Sequence, residues 1–271
     1  MGVDKFGDRM KEYEGIESDR RFLPLLPICA RLDGKCFSKF TKGMKRPYDE
    51  DMIHLMKATT KFLVEQTNSN IGYTQSDEIS LVFYSPDRNS QIFFDGRIQK
   101  MTSVLASIAT AAFNNILPLA FPKKIDLLPM FDCRVWQVPT KEEAINNILW
   151  RELDATKNSI SMAARHYYSH KELSKKNSSE MQEMLFQKGI NWNDYPSHFK
   201  RGTYVQRRKI IKKFSTQEIN KLPLKHEART NPNLEIERTE VRYLDMPPLS
   251  KVINKVGVII YGEEPIIKKE D

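Results

Sequence analysis

Arg31-Leu32-Asp33-Gly34-Lys35-Cys36-Phe37 and Tyr73-Thr74-Gln75-Ser76-Asp77-Glu78-Ile79 decide how this chain reads. Each sets carboxylates at the end of a hydrophobic strand run. Bare carboxylates gathered at strand ends are costly unless something positive sits between them. A divalent cation carrying nucleotide phosphates meets that need, because Mg²⁺ prefers a few oxygen ligands plus substrate phosphates to an all-protein cage.

The neighbouring elements supply the frame. Leu23 to Leu32 reads as a buried strand, with Pro24 and Pro27 near its start, where missing donors do least harm. Asp49 to Asn68 has helical spacing: Met52, Ile53, Met56, Phe62 and Leu63 fall on or near one face, and acids occupy the first turn. Ile71 to Gln75 and Ile79 to Tyr84 are short strands flanking Ser76-Asp77-Glu78, which puts the acids at a tight hairpin. Apolar residues from Ile98 to Ile116 recur every three or four positions, predicting a helix that Pro118 stops. Phe131 to Val138 is another strand, and Thr140-Lys141-Glu142-Glu143 is a capping box opening a long helix to His170.

The order β-α-β-β-α-β predicts an α+β protein with a ferredoxin-like sheet of four strands carrying two helices on one face. In such a sheet the end of the first strand and the second hairpin share an edge, so Asp33 and Asp77 are expected to meet there. Two parts are expected, a catalytic domain over residues 1–139 and a helical, basic C-terminal region over 140–271. Lys171 to Ser179 reads as an exposed linker. Beyond Lys221, Pro232, Pro247, Pro248 and Pro265 break up short strand-like pieces.

The 271 residues are 40% hydrophobic and 29% charged, an ordinary soluble composition rather than a disordered one. Lys and Arg outnumber Asp and Glu by 43 to 35, a net +8 that fits a polyanionic partner and fits simple solubility equally. Distribution sharpens this: from Lys200 to Lys213 there are seven basic residues and no acid, with Tyr204, Ile210 and Ile211 interleaved. A strand with one wet basic face suits a phosphate backbone, which makes Lys200, Arg201, Arg207 and Arg208 candidate RNA contacts. Three cysteines without metal-type spacing fit a reducing compartment. No apolar run of about 18 residues is read anywhere in the chain and the start lacks an apolar signal core, so nothing is expected to span a membrane and a cytoplasmic protein is expected.

Each candidate has a plainer reading. Asp33-Gly34 alone is a common turn pair, but here a strand delivers it and Lys35, Lys39, Lys42, Lys45 and Arg46 follow. Ser76-Asp77-Glu78 equally suits a hydrophilic hairpin. Adjacent strand residues face opposite ways, so Asp77 and Glu78 are not expected to share one role. One joins Asp33 on a metal; the other serves a second metal or orients a basic group. Paired metals suit in-line phosphoryl or nucleotidyl transfer. Arg97 and Lys100, one helical turn apart, are either surface charges or phosphate ligands, the latter if their helix begins near the acidic edge. His166 and His170 have the spacing of a helical metal pair, but no Glu follows the first and no third ligand is apparent.

Six motifs in order then carry a resemblance: Arg31-Leu32-Asp33-Gly34-(two residues)-Phe37, Arg46-Pro47-(one)-Asp49, Gln75-Ser76-Asp77-Glu78, Phe131-Asp132-(one)-Arg134-Val135, Trp150-Arg151-(two)-Asp154 and Arg201-Gly202-Thr203. Together they resemble the tRNA-histidine guanylyltransferase family over roughly residues 20 to 205. The resemblance implies a palm-like enzyme that adds nucleotides to the 5′ end of tRNA, in the 3′–5′ direction, with two Mg²⁺ ions. The 5′ phosphate is activated with ATP or GTP, and the 3′ hydroxyl of an incoming nucleotide attacks it. By position Asp33, the carbonyl of Gly34 and Asp77 would be metal ligands, and Glu78 a further catalytic acid. Asp33, Gly34, Lys35, Cys36, Phe37 and Ser38, with Ser76 and Asp77, would form the nucleoside triphosphate site, and Lys100 would face phosphates. A homotetramer is implied as well.

One departure bears on substrate. Members dedicated to histidine tRNA carry a His-Ile-Asn-Asn-type signature, and the matching positions here are Thr156, Lys157, Asn158 and Ser159. That departure favours the related like-protein branch, which repairs tRNAs lacking 5′ nucleotides. Dedicated addition of a guanosine to histidine tRNA is the alternative. A palm-type nucleotide cyclase and a non-catalytic RNA-binding protein are readings of other kinds.

Overall fold

The computed structural model describes residues 4–231 and 233–268. Its helices and strands run α1 (Lys5–Ser18), β1 (Ile28–Lys35), α2 (Phe37–Phe40), α3 (Glu50–Thr67), β2 (Ile71–Gln75), β3 (Glu78–Phe83), α4 (Ile98–Ala120), β4 (Met130–Gln137), α5 (Lys141–Tyr167), α6 (His170–Leu173), α7 (Ser178–Gln187), α8 (Ser197–Arg201), β5 (Thr203–Lys213), α9 (Thr216–Lys221), β6 (Glu235–Leu244) and α10 (Lys255–Tyr261). The strands form one six-stranded antiparallel sheet in the order β4-β1-β3-β2-β5-β6.

Alternation along β1 explains why both sheet faces are covered. Ala30 and Leu32 point to one side, where they join Ile79, Leu81 and Phe83 under α3 and α4. Cys29 points to the other, with Val82, Ile71, Tyr73 and Tyr204, under α5 and α10. A smaller aromatic cluster, including Phe199, Tyr48, Trp192 and Tyr195, ties the helical segment after α5 to the loop before α3.

Helix α3 matches its expected limits because both ends are fixed by side-chain and backbone chemistry. Asp49 accepts from the amides of Asp51 and Met52, and Asn68 closes the helix in the left-handed conformation. Phe62, expected on the buried face, is exposed. The buried stripe instead runs through Leu55, Thr59, Leu63 and Val64.

Other boundaries moved. β1 begins after Pro27 rather than at Leu23 and carries Asp33 and Gly34 within it. α4 continues through Pro118 to Ala120, since in the last turn a proline deprives only the Asn114 carbonyl of its donor. By length and composition α4 is apolar enough to cross a bilayer, contrary to the expectation that no such run exists. Met101, Leu105, Ala109, Phe113 and Leu117 of this helix are buried in the core. Thr140 caps α5 through the Glu143 amide, but the Glu143 carboxylate accepts from Asn146, so the box is half formed. α5 ends at Tyr167, and His170 opens a new helix capped by Ser169. The two histidines therefore do not share a helical face. The expected linker contains α6, with Leu173 buried, and the start of α7. β6 forms through the proline-flanked region; Pro232 lies outside the described residues.

Candidate active site

The β2–β3 hairpin folds against the end of β1, and the Gly34 amide donates to the Asp77 carbonyl at 3.1 Å. Asp33 stands opposite Glu78 on one side and Asp132 on the other. Directly opposed residues in an antiparallel sheet project to the same face, so three carboxylates line up across β4, β1 and β3. Two residues earlier on β1, Arg31 stands between Arg134 and Ser80 in the next row of that face. An acidic row and a basic row lie side by side at the sheet edge.

Gly34 is required by a close approach. A Cβ there would overlap the Phe37 ring, which is buried among Phe40, Phe113 and Phe131. The Phe37 side chain thus packs into the core, at the end of the segment expected to contact nucleotide. Cys36 turns the chain in the left-handed conformation, and Lys35, Cys36 and Ser38 are exposed beyond it. Ser76 also adopts the left-handed conformation and donates to the Asp77 carboxylate at 3.0 Å.

Burial pushes the Asp77 carboxyl above the usual range; the Ser76 hydroxyl opposes this, and the charge of Asp33 adds to it. Burial also pushes Glu78 up, while Arg151 pulls against it. Arg151 grips Glu78 with both ends of its fork, Nε to Oε1 at 2.6 Å and an Nη to Oε2 at 2.9 Å, and lies 3.2 Å from Asp154. It also sits over the Trp150 ring, as does Arg31. Glu78, the second acid of the hairpin, is thus engaged by a basic group from α5.

Arg134 reaches both Asp33, at 3.8 Å, and Asp132, at 3.7 Å. Asp132, Arg134 and Arg151 are residues to which sequence reasoning assigns no role. The signal was present in the motif spacing, but their partners lie on other strands.

Asp33, Asp77, Glu78 and Ser76 open onto a cleft of about 500 Å³ whose far wall is α5 and whose floor includes the loop from Thr41 to Asp49. Lys100 is not brought there. The start of α4 is tied to the segment before β1, through the Ile98 amide to Arg20 and the Phe22 amide to Gly96, each 3.0 Å. Asp33 sits at the opposite end of β1, so Lys100 lies beyond the far end of the sheet, over the Phe94 ring.

The candidate RNA contacts are largely engaged within the chain. Arg207 donates to the Glu65 carbonyl and the Asn68 side chain at 3.1 Å, closing the C-terminus of α3. Arg208 is buried and bonds the Gly262 carbonyl and Glu264. Lys200 reaches the Asn193 carbonyl and Arg201 reaches Ser197. Further along, Lys209 pairs with Glu237 and Lys212 with Glu240 across the β5–β6 ladder. The uniform charge of the run is thus answered from a strand roughly thirty residues later.

Among the described residues no group of three or more His, Cys, Asp or Glu is arranged to hold a metal by itself. Mg²⁺ does not ask for one: one or two carboxylates plus substrate phosphates suffice. Asp33 and Asp77 meet that requirement in donor type.

Asp33, Asp77 and Glu78 at one cleft that Arg46, Arg151 and Arg165 also line are the equipment of an enzyme that handles phosphates. Comparison with known proteins makes this specific. A family model for tRNAHis guanylyltransferase matches residues 7–139. The tRNA(His) guanylyltransferase of Saccharomyces cerevisiae is 31% identical over 77% of this chain and 92% of its own length. A bacterial tRNA(His) guanylyltransferase-like protein in complex with ATP superposes with a TM-score of 0.76 at 33% identity, covering 96% of this chain and all of that one. A like protein in complex with GTP gives 0.70 at 30% identity, covering 92% and 95%. The chain belongs to the tRNAHis guanylyltransferase family and is a nucleotidyltransferase.

Proposed function

We propose that this protein adds nucleotides in the 3′–5′ direction to the 5′ end of tRNA, with 5′-truncated tRNA as its preferred substrate. The observation that carries the reading is the Gly34–Asp77 backbone bond, which holds Asp33 and Asp77 at one end of one cleft. Strands β1 to β4 with α3 and α4 act as the palm, in the ferredoxin-like order, and the chain from residue 140 onward holds tRNA and neighbouring subunits. A homotetramer is part of the same reading, and the exposed apolar residues Phe6, Tyr13 and Ile16 of α1 support it.

Asp33, Asp77 and the Gly34 carbonyl would hold two Mg²⁺ ions, which would supply neutralising charge to the phosphates bound in the cleft. The tRNA 5′ phosphate oxygen attacks the α-phosphorus of ATP or GTP and displaces pyrophosphate. The 3′ hydroxyl of the incoming nucleotide then attacks the activated 5′ phosphorus, and the nucleoside monophosphate leaves. Arg31 and Arg134, one row below the acids, stabilise phosphate charge in both steps. Glu78 acts through Arg151, fixing that guanidinium at the cleft wall.

The departure at Thr156, Lys157, Asn158 and Ser159 supports repair over dedicated guanosine addition. Ser159 is buried and accepts from the Trp192 indole at 3.2 Å, while Asn158 lines the cleft. The test offers the pure protein 5′-truncated tRNA and intact histidine tRNA at matched concentration with ATP and labelled GTP. Preference for the truncated RNA is expected. Preference for intact histidine tRNA by a wide margin removes the repair reading, and cyclic nucleotide from triphosphate alone removes the tRNA reading.

A further inference from the structure

The cleft is longer than one triphosphate requires. α5 forms its wall from Arg151 to Arg165, a rise of about 20 Å. At the Arg151 end stand the carboxylates. At the other end Arg165 and His166 of α5 face Arg46 of the loop before α3, around a recess of about 390 Å³ that Met162 completes. Lys45 lines the same part of the cleft.

Charge accounting distinguishes this end. Of the nearby acids, Asp49 accepts from three backbone amides, of Lys45, Asp51 and Met52, and the exposed Glu50 lies 3.2 Å from His198. The side chains of Arg46 and Arg165 make no hydrogen bond or ion pair among the described residues. Arg165 falls in the last turn of α5, where a cation complements the helix dipole. That explains one of the charges. It does not explain why Arg46, from a different element, converges on the same recess.

We propose that Arg46 and Arg165 clamp a backbone phosphate of the RNA, a few nucleotides from the reacting 5′ end, so that the cleft fixes the strand at both of its ends. The proposal rests on the tRNA reading above. It goes beyond it by assigning a second, distal anchor. Guanidinium groups suit the task because each offers a planar fork of donors to phosphate oxygens. A triphosphate held at the acidic end leaves this distance unspanned, whereas a nucleic-acid strand covers it.

The full-length protein tests this as Arg46→Gln, Arg165→Gln and Arg165→Lys. Affinities are measured for a 5′-truncated, 5′-monophosphorylated tRNA over a range of salt, and for ATP with Mg²⁺. Each Gln variant is expected to weaken RNA binding about tenfold and to lower the salt slope by about one unit, with ATP affinity unchanged. Arg165→Lys is expected to keep most of the salt slope. Loss of ATP affinity in step with RNA affinity overturns the proposal in favour of a nucleotide phosphate site. Unchanged RNA affinity overturns it in favour of a solvated face. Nucleotide transfer by the wild-type protein in the same preparation shows the parent reading intact, so either result then counts against this anchor alone. A wild-type protein that neither binds RNA nor transfers defeats both.

Discussion

At the scale of single residues, the site depends on charges held close by backbone geometry. Gly34→Ala is expected to cost about 1–3 kcal/mol in urea denaturation, because the new methyl meets a ring that the aromatic core cannot move. Arg151→Ala strands the half-buried Glu78 carboxylate and should cost about 3 kcal/mol; an unchanged unfolding midpoint would show that solvent screens Glu78. Glu152 gives a pH test away from the proposed ligands. It is buried, accepting from the Tyr204 hydroxyl at 2.6 Å and the Leu249 amide at 2.8 Å, and burial raises its carboxyl above the usual range. A raised carboxyl binds its proton more tightly when folded, so its stabilising effect is complete below the unfolded value and fades as pH rises. The wild-type protein should therefore gain stability relative to Glu152→Gln as pH falls from 8 to 5, read as Tm. A difference independent of pH contradicts this. Asp33 and Asp77 were legible in the sequence because strand runs lead straight to them. Arg151 was not, since its partner Glu78 stands 73 residues away on another layer. Lys100 misled because a helix start reveals nothing about which end of the sheet it adjoins.

At the scale of elements, the first four strands and their two long helices follow from periodicity and caps, and these alone gather the acidic edge. β5 and β6 were harder. Their outward faces carry Lys, Arg and Glu paired across the ladder, so β5 was legible only as a strand with one basic face and β6 only as a short, proline-flanked piece. The basic run looked like an RNA surface because its counter-charges lie in β6. Arg207 has become an end-piece for α3, so Arg207→Ala should lower stability by about 1 kcal/mol through the freed α3 carbonyls. Circular dichroism melts check this, and an unchanged melt together with weakened RNA binding would restore Arg207 to the interface.

At the scale of the whole molecule, an acidic sheet edge and the helix that walls the cleft belong to a chain of a nucleotidyltransferase family. The proposed activity depends on Asp33 and Asp77 acting jointly through magnesium on a triphosphate. Neither residue carries the fold: both stand at the edge, Asp77 is tied to β1 by its backbone carbonyl, and its carboxylate bonds the neighbouring Ser76 hydroxyl. The most direct measurement is calorimetric titration of ATP into the wild-type protein, Asp33→Ala and Asp77→Ala, each with and without Mg²⁺. Magnesium should strengthen ATP binding to the wild-type protein by at least about tenfold, and each substitution should abolish that enhancement while leaving the fold intact. Wild-type enhancement retained in both variants would contradict a joint magnesium role for Asp33 and Asp77.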